Sequence, residues 1–169
     1  MAILARSIAD KDTLWLLGDI IQSFNAAPSR GLPLGNLTSQ LLVNVYMNEF
    51  DYFMKYHVRI KHYIRYADDF TVLSHDRGEL EELLPKIAAF LRERLKLELH
   101  PRKVTINTIA SGVDFLGWTH FPDHRVLRVV TKRRMLKNLK RGSAATTQSY
   151  LGLMKHGNTY KLKKRVLVI

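Results

Sequence analysis

Arg59-Ile-Lys-His-Tyr-Ile-Arg-Tyr-Ala-Asp-Asp-Phe-Thr71 reads as two short β-strands joined by a tight turn. Alternation carries the strands: Ile60, His62, Ile64 and Tyr66 fall on one face and Lys61, Tyr63 and Arg65 on the other, and Phe70, Val72 and Leu73 resume the apolar run beyond the turn. Asp68 and Asp69 stand where the chain reverses. Aspartate is a favoured turn residue in its own right, because its side chain bonds nearby backbone N–H groups. Two adjacent carboxylates at a rigid turn are also a candidate site for hard cations.

Outward from this hairpin, composition sets the limits. With 169 residues, 46% hydrophobic and 25% charged, the chain can bury one core, or one core and a small appendage. It contains no cysteine, which excludes a disulfide framework and a thiolate zinc site and fits a reducing compartment. Apolar runs fall short of a membrane span and no signal-peptide pattern opens the sequence, so no membrane partner and a cytoplasmic location are expected. Net charge is +12, and from Arg125 onward there is no Asp or Glu at all. One-signed asymmetry of this kind is the expected footprint of a polyanion ligand, whereas a merely solvated surface mixes signs.

Ahead of the hairpin, Asp10 to Phe24 has helical spacing, with Leu14, Leu17, Ile21 and Phe24 as a stripe expected in the core and Asp10 or Asp12 as caps. A breaker stretch then leads into Gly31-Leu-Pro-Leu-Gly-Asn-Leu-Thr-Ser-Gln40, a loop suited to close backbone approach to a ligand, with Asn36 or Thr38 capping a following helix. Leu42, Val45, Tyr46, Phe50 and Phe53 mark the expected buried face of that helix.

Tyr66-Ala67-Asp68-Asp69 between apolar strands resembles the Y-x-D-D box of reverse transcriptases. Gly31-x-Pro33-x-Gly35-Asn36-x-Thr38-Ser39-Gln40, with the helix after it, resembles the fourth conserved block of the bacterial enzymes. Its Ser-Gln ending, where retron, group II intron and retroviral enzymes usually have Ser-Pro, is similar to the diversity-generating retroelement type. The resemblance implies that Asp68 and Asp69 hold two Mg²⁺ ions, with Mn²⁺ as a substitute, for nucleotidyl transfer. It also implies that Gly31, Pro33, Gly35, Asn36, Ser39, Gln40, Tyr66 and Ala67 line the template and nucleotide site. Asp19 superficially resembles the first catalytic aspartate of such polymerases, but it lies inside a helical pattern rather than at a strand end and is set aside.

Downstream, Glu79 to Leu97 is an amphipathic helix with Leu80, Leu83, Leu84, Ile87, Leu91 and Leu95 inside, and Pro85 must kink it or begin its second part. Leu97 to Ile106 is similar to the family's next block, a strand and turn ending in a basic residue. By resemblance Lys103 assists departure of pyrophosphate as an acid or as a positive charge. Val113 to Thr119 has a strand pattern, with Gly117 allowing close backbone approach; its Phe115-Leu116-Gly117 is similar to the block whose hairpin grips the primer end, and Val126 to Val130 is a short strand. Thr131 to Arg141 is expected as a helix with Met135, Leu136 and Leu139 inside. Its outer face, Lys132, Arg133, Arg134, Lys137, Lys140 and Arg141, is able to track a phosphate backbone. Gly142 to Thr147 reads as a linker, and Ser149 to Tyr160 as a short helix stopped at Gly157. His120 and His124 lack the company of a zinc site.

The expected fold is therefore α+β: a partial polymerase palm over residues 1–124, helices on a small antiparallel sheet with the Y-x-D-D hairpin, then a basic helical thumb over 125–169. The expected function is an RNA-directed DNA polymerase using RNA template, DNA primer or cDNA, and deoxynucleoside triphosphates. Fingers and first catalytic aspartate are expected to be missing, so a small accessory protein or an N-terminal polymerase fragment is a further expected partner. Two alternatives stand beside this: a non-catalytic nucleic-acid-binding protein derived from such an enzyme, and a retron or intron maturase-type enzyme.

Overall fold

The computed structural model describes residues 1–23, 37–140 and 142–166. They form two compact units, Met1–Val104 and Thr105–Ile169. In the first, a 3₁₀ turn at Leu4–Arg6 precedes α1 (Lys11–Gln22), α2 (Leu37–Tyr52), β1 (His62–Tyr66), β2 (Asp69–Leu73) and α3 (Arg77–Leu95).

Helix α1 starts where Asp10 caps it, its carboxylate accepting the Thr13 N–H at 2.7 Å. Its stripe is not core: Leu14, Leu17 and Ile21 are only half-buried, and Gly18 is the helix's one buried residue. Phe24 lies outside the described residues. Amphipathic spacing says that a face needs cover but not how much, and here Trp15 remains 73% exposed.

The core of this unit joins α2 and α3. Leu83, Ile87, Leu91 and Leu95 form an i, i+4 ridge that packs with Met47, Phe50 and Met54, and α3 runs as one helix through the exposed Pro85. The buried face of α2 is rotated from the expected one: Leu42 and Phe50 are inside as expected, but Val45 is half-buried, Tyr46 is at the surface and Met47 is inside, and just past the helix Met54 is buried where Phe53 is half-buried. Apolar residues from Leu41 to Met47 surround the helix, so periodicity alone could not orient it. Tyr46 lies at the margin and donates its hydroxyl to the Leu95 carbonyl at 2.5 Å. Beyond Tyr52 the helix widens into a π turn, Phe53–His57, closed by the Val58 N–H on the Phe53 carbonyl at 3.0 Å.

No strand forms at 97–106. Leu99 packs against the core, and the Lys103 N–H closes a turn on the His100 carbonyl at 2.9 Å. A strand needs a neighbour to take its N–H and C=O groups, and among the described residues the β1–β2 sheet has only two strands.

The second unit is a three-stranded antiparallel sheet, β3 (Val113–Phe115), β4 (Trp118–His120) and β5 (Arg125–Leu127), followed by α4 (Val129–Leu139), α5 (Ala144–Leu153) and α6 (Tyr160–Val166). Leu116 and Gly117, with φ of 50° and 83°, turn β3 into β4 as a type I′ hairpin requires. Trp118, Leu127, Met135, Leu139, Met154, Leu162 and Val166 form its core. The expected break between 124 and 125 falls in the turn joining β4 to β5, whose Trp118 and Leu127 are paired. The expected linker is shorter than its composition suggested: Ser143 caps α5 through the Thr146 N–H, and Ala144 and Ala145 favour helix once capped.

Gly157 seats its backbone on the Trp118 ring, where an added Cβ would stand 2.2 Å from Cζ3 and 2.9 Å from the Arg125 carbonyl oxygen. Gly157→Ala is expected to lower the stability of this unit by about 1–3 kcal/mol, the usual cost of overpacking. A shift of the urea midpoint followed by Trp118 fluorescence, in a Trp15→Phe background, measures it.

Candidate active site

The β1–β2 register pairs Tyr66 with Asp69 and Arg65 with Phe70, leaving Ala67 and Asp68 as a two-residue turn. Ala67 has φ of 52°, a left-handed conformation that costs an alanine about 1 kcal/mol relative to glycine. Asp68 and Asp69 are both exposed, and Asp69 shares the outer face of the hairpin with Tyr66 and Ile64, which are 59% and 58% exposed.

The face that turns inward is the one bearing Tyr63 and Arg65, with Phe70 and Val72 opposite them. Sequence alternation separated the two faces but suggested no partner for this one. The partner is Asp51, in the last turn of α2. Arg65 donates Nε to its Oδ1 at 2.8 Å and Nη2 to its Oδ2 at 2.6 Å, and the Tyr63 hydroxyl donates to Oδ1 at 2.7 Å. The remaining guanidinium nitrogen, Nη1, donates to the Ala67 carbonyl at 2.6 Å and to Asn44 Oδ1 at 3.1 Å. Thus one planar cation links helix α2 to the turn that carries Asp68 and leads into Asp69, the first residue of β2. A carboxylate on the flank of an apolar helix and an arginine at an inward strand position were the available signals for this network.

Its electrostatics are mutually reinforcing. Burial alone would raise the Asp51 pKa, but the hydrogen bonds from Arg65 and Tyr63 and the nearby positive charge outweigh it and hold the carboxyl below its ordinary value. Burial, then the hydrogen bond to Asp51, pushes the Tyr63 phenol above its ordinary range. Arg65 is raised by its hydrogen bonds to Asp51. A carboxyl depressed on folding stabilises the folded state above its unfolded pKa, near 3.8, and loses that contribution as pH falls through the folded value. In acid titration of stability between about pH 5 and pH 2, Asp51→Asn is expected to show a shallower loss than the parent chain, as read by urea unfolding at each pH.

Of the other expected site residues, Gly31, Pro33, Gly35, Asn36 and Arg141 lie outside the described residues. Ser39 is buried and Gln40 exposed on the first turns of α2. Lys103 is exposed, and no hydrogen bond or ion pair among the described residues joins it to the hairpin. Phe115, Leu116 and Gly117 occupy the β3–β4 hairpin, with Leu116 45% exposed. On α4, Arg133, Arg134 and Lys137 are exposed and Lys132 half-buried, while Met135 and Leu139 face the core; Lys140, just past its end, is exposed.

Among the described residues no group of three or more histidine, aspartate or glutamate side chains comes together. Asp68 and Asp69 offer hard oxygen donors on adjacent, solvent-accessible residues, a donor type that fits Mg²⁺, as a partial ligand set. No described helix is long and apolar enough to cross a membrane.

The chain is 27% identical to protein YkfC of Escherichia coli (strain K12) over 76% of its own length and 42% of that protein's. It thus spans less than half of that curated relative. The family model described as reverse transcriptase (RNA-dependent DNA polymerase) matches residues 11–120, from α1 through β4 and including the whole Asp68–Asp69 hairpin. With well over half of its length matched, the chain belongs to the reverse transcriptase family.

Proposed function

We propose that this chain acts in RNA-directed DNA synthesis of the diversity-generating type, with the β1–β2 turn as its catalytic centre. The observation that carries this reading is the presentation of Asp68 and Asp69, exposed and adjacent, on a hairpin whose inner face is fixed to α2. Together they would hold Mg²⁺, which supplies charge neutralisation and activation of the primer 3′-oxygen when bound. Around them, Tyr66 and Ala67 would border the incoming deoxynucleoside triphosphate, and the Gly31–Gln40 segment the template base. Lys103 would place positive charge near the departing pyrophosphate.

In this reading the Phe115–Gly117 hairpin holds the primer end and the basic face of α4 tracks phosphates without reading sequence. Residues 1–124 would serve as part of a palm and residues 125–169 as a thumb. A third carboxylate, usual in this family, would come from outside these 169 residues, because Asp19 lies within α1 and gives no strand-end ligand. Ser39-Gln40 supports the diversity-generating subtype over retron and intron enzymes.

The test is Mg²⁺-dependent primer extension on an RNA template, comparing the chain with its Asp68→Asn/Asp69→Asn variant, alone and with an upstream polymerase fragment added. Extension that disappears in the variant supports the reading. Salt-sensitive primer–template binding without any extension, in both settings, overturns it in favour of a non-catalytic binding protein.

A further inference from the structure

The structure assigns Arg65 a positioning role: clamped by Asp51 of α2, its guanidinium holds the Ala67 carbonyl and so fixes the turn that presents Asp68 and Asp69. The inference rests on the proposed role of those two carboxylates and adds the device that aims them.

Three observations converge. Bidentate contact at 2.6 and 2.8 Å with Asp51 leaves the guanidinium no freedom to rotate in its plane, so Nη1 is directed at the turn. Nη1 meets the Ala67 carbonyl at 2.6 Å, and Ala67 is the residue at φ of 52°. A left-handed alanine in a two-stranded hairpin would relax unless held, and the carbonyl that Arg65 grips belongs to the strained residue itself. Tyr63 and Asn44 complete the clamp, one on Asp51 and one on Nη1. With an Arg65 side chain only 9% exposed, water competes poorly for these bonds. The arrangement separates two tasks: exposed carboxylates remain free for cations, while a neutralised, partly buried ion pair beneath them sets their direction.

Lysine would not substitute. Its ammonium is a point donor and cannot serve the Asp51 carboxylate and the Ala67 carbonyl in the same fixed plane.

The experiment compares Arg65→Met, Arg65→Lys and Asp51→Asn with the parent chain, and uses Arg77→Met, which removes an exposed helix ion pair, as control. Amide hydrogen exchange reads the 66–70 turn against α2 and α3, and primer extension reads kcat, primer–template KM and the Mg²⁺ concentration for half-maximal rate. In Arg65→Met, exchange in the turn is expected to rise by about tenfold or more with α2 and α3 still protected. Its kcat is expected to fall by roughly tenfold to a hundredfold, with a higher Mg²⁺ requirement and unchanged KM. Arg65→Lys should recover little, and Arg77→Met should match the parent.

Turn exchange and Mg²⁺ requirement equal to the parent's in a folded Arg65→Met chain would overturn the assignment. So would loss of α2 and α3 protection together with the turn in all three variants, since the network would then be general core support. If the parent chain shows no Asp68-dependent extension either alone or with the upstream polymerase fragment added, the functional reading fails separately, and hydrogen exchange still decides whether the clamp fixes the turn.

Discussion

Asp68→Asn is expected to reduce nucleotide transfer by on the order of a thousandfold or more while leaving the fold intact. The two effects separate because of where the side chain sits. Asp68 is exposed at the second position of the turn, and no described hydrogen bond or ion pair uses its carboxylate. Replacing it by an amide of the same shape creates no cavity and orphans no partner, so stability should stay within about 0.5 kcal/mol. It also removes one of two like charges on adjacent residues, which favours the turn slightly. Transfer is another matter. An anionic oxygen that holds a metal at the reacting phosphate contributes several kcal/mol to the transition state, and about 4 kcal/mol corresponds to three orders of magnitude in rate. Single-turnover primer extension across a Mg²⁺ series, with urea unfolding of the same preparations, measures both halves. Retained transfer in Asp68→Asn would remove the turn from the mechanism, and a large stability loss would mean that the carboxylate has a structural partner.

The parts of this molecule that were legible in the sequence are those whose signal is local. The hairpin was readable because Tyr63 to Tyr66 and Phe70 to Leu73 alternate around a two-residue turn. Helix α3 was readable because one leucine-rich ridge recurs every fourth residue, whereas the stretch from Val113 to Thr119 reads as strand throughout and hides the turn at Leu116-Gly117, where both residues take positive φ. Helix α2 was legible in extent and partly in orientation, since apolar residues on every side leave packing to choose the face. Residues 97–106 failed as a strand because strand formation depends on a neighbour that periodicity cannot supply. Helix α6 escaped notice because Tyr160 to Val166 is mostly charged, and only Leu162 and Val166 anchor it. At the candidate site, Asp68 and Asp69 announced themselves through the motif. Asp51 did not, because its meaning comes from an arginine fourteen residues away on another element. Charge pairing across a fold leaves no periodic trace.

Phe50→Ala is expected to cost the first unit about 3–5 kcal/mol, the range for truncating a fully buried phenylalanine. Phe50 has no exposed surface. Its ring lies 4.9 Å from that of Phe70 and 5.9 Å from that of Tyr63, both near edge-on, and 6.1 Å from that of Phe90 on α3. It is therefore the point where α2, α3 and both strands meet. Against a total stability of about 5–15 kcal/mol for a domain, this loss leaves the folded state marginal. It should also reach the candidate site, since Phe70 directly follows Asp69 and Tyr63 shares its hydrogen-bond acceptor with Arg65. Transfer should then fall together with stability, and lower temperature should restore part of it, as it should not in Asp68→Asn. Phe50→Leu keeps most of the volume and should cost only about 1–1.5 kcal/mol. Urea unfolding followed by far-ultraviolet circular dichroism, with hydrogen exchange in α3, tests this. Equal stability of Phe50→Ala and the parent would mean that the hairpin is held by the Asp51–Arg65 network rather than by the aromatic cluster. A loss confined to the strand amides would make Phe50 the floor of the hairpin alone.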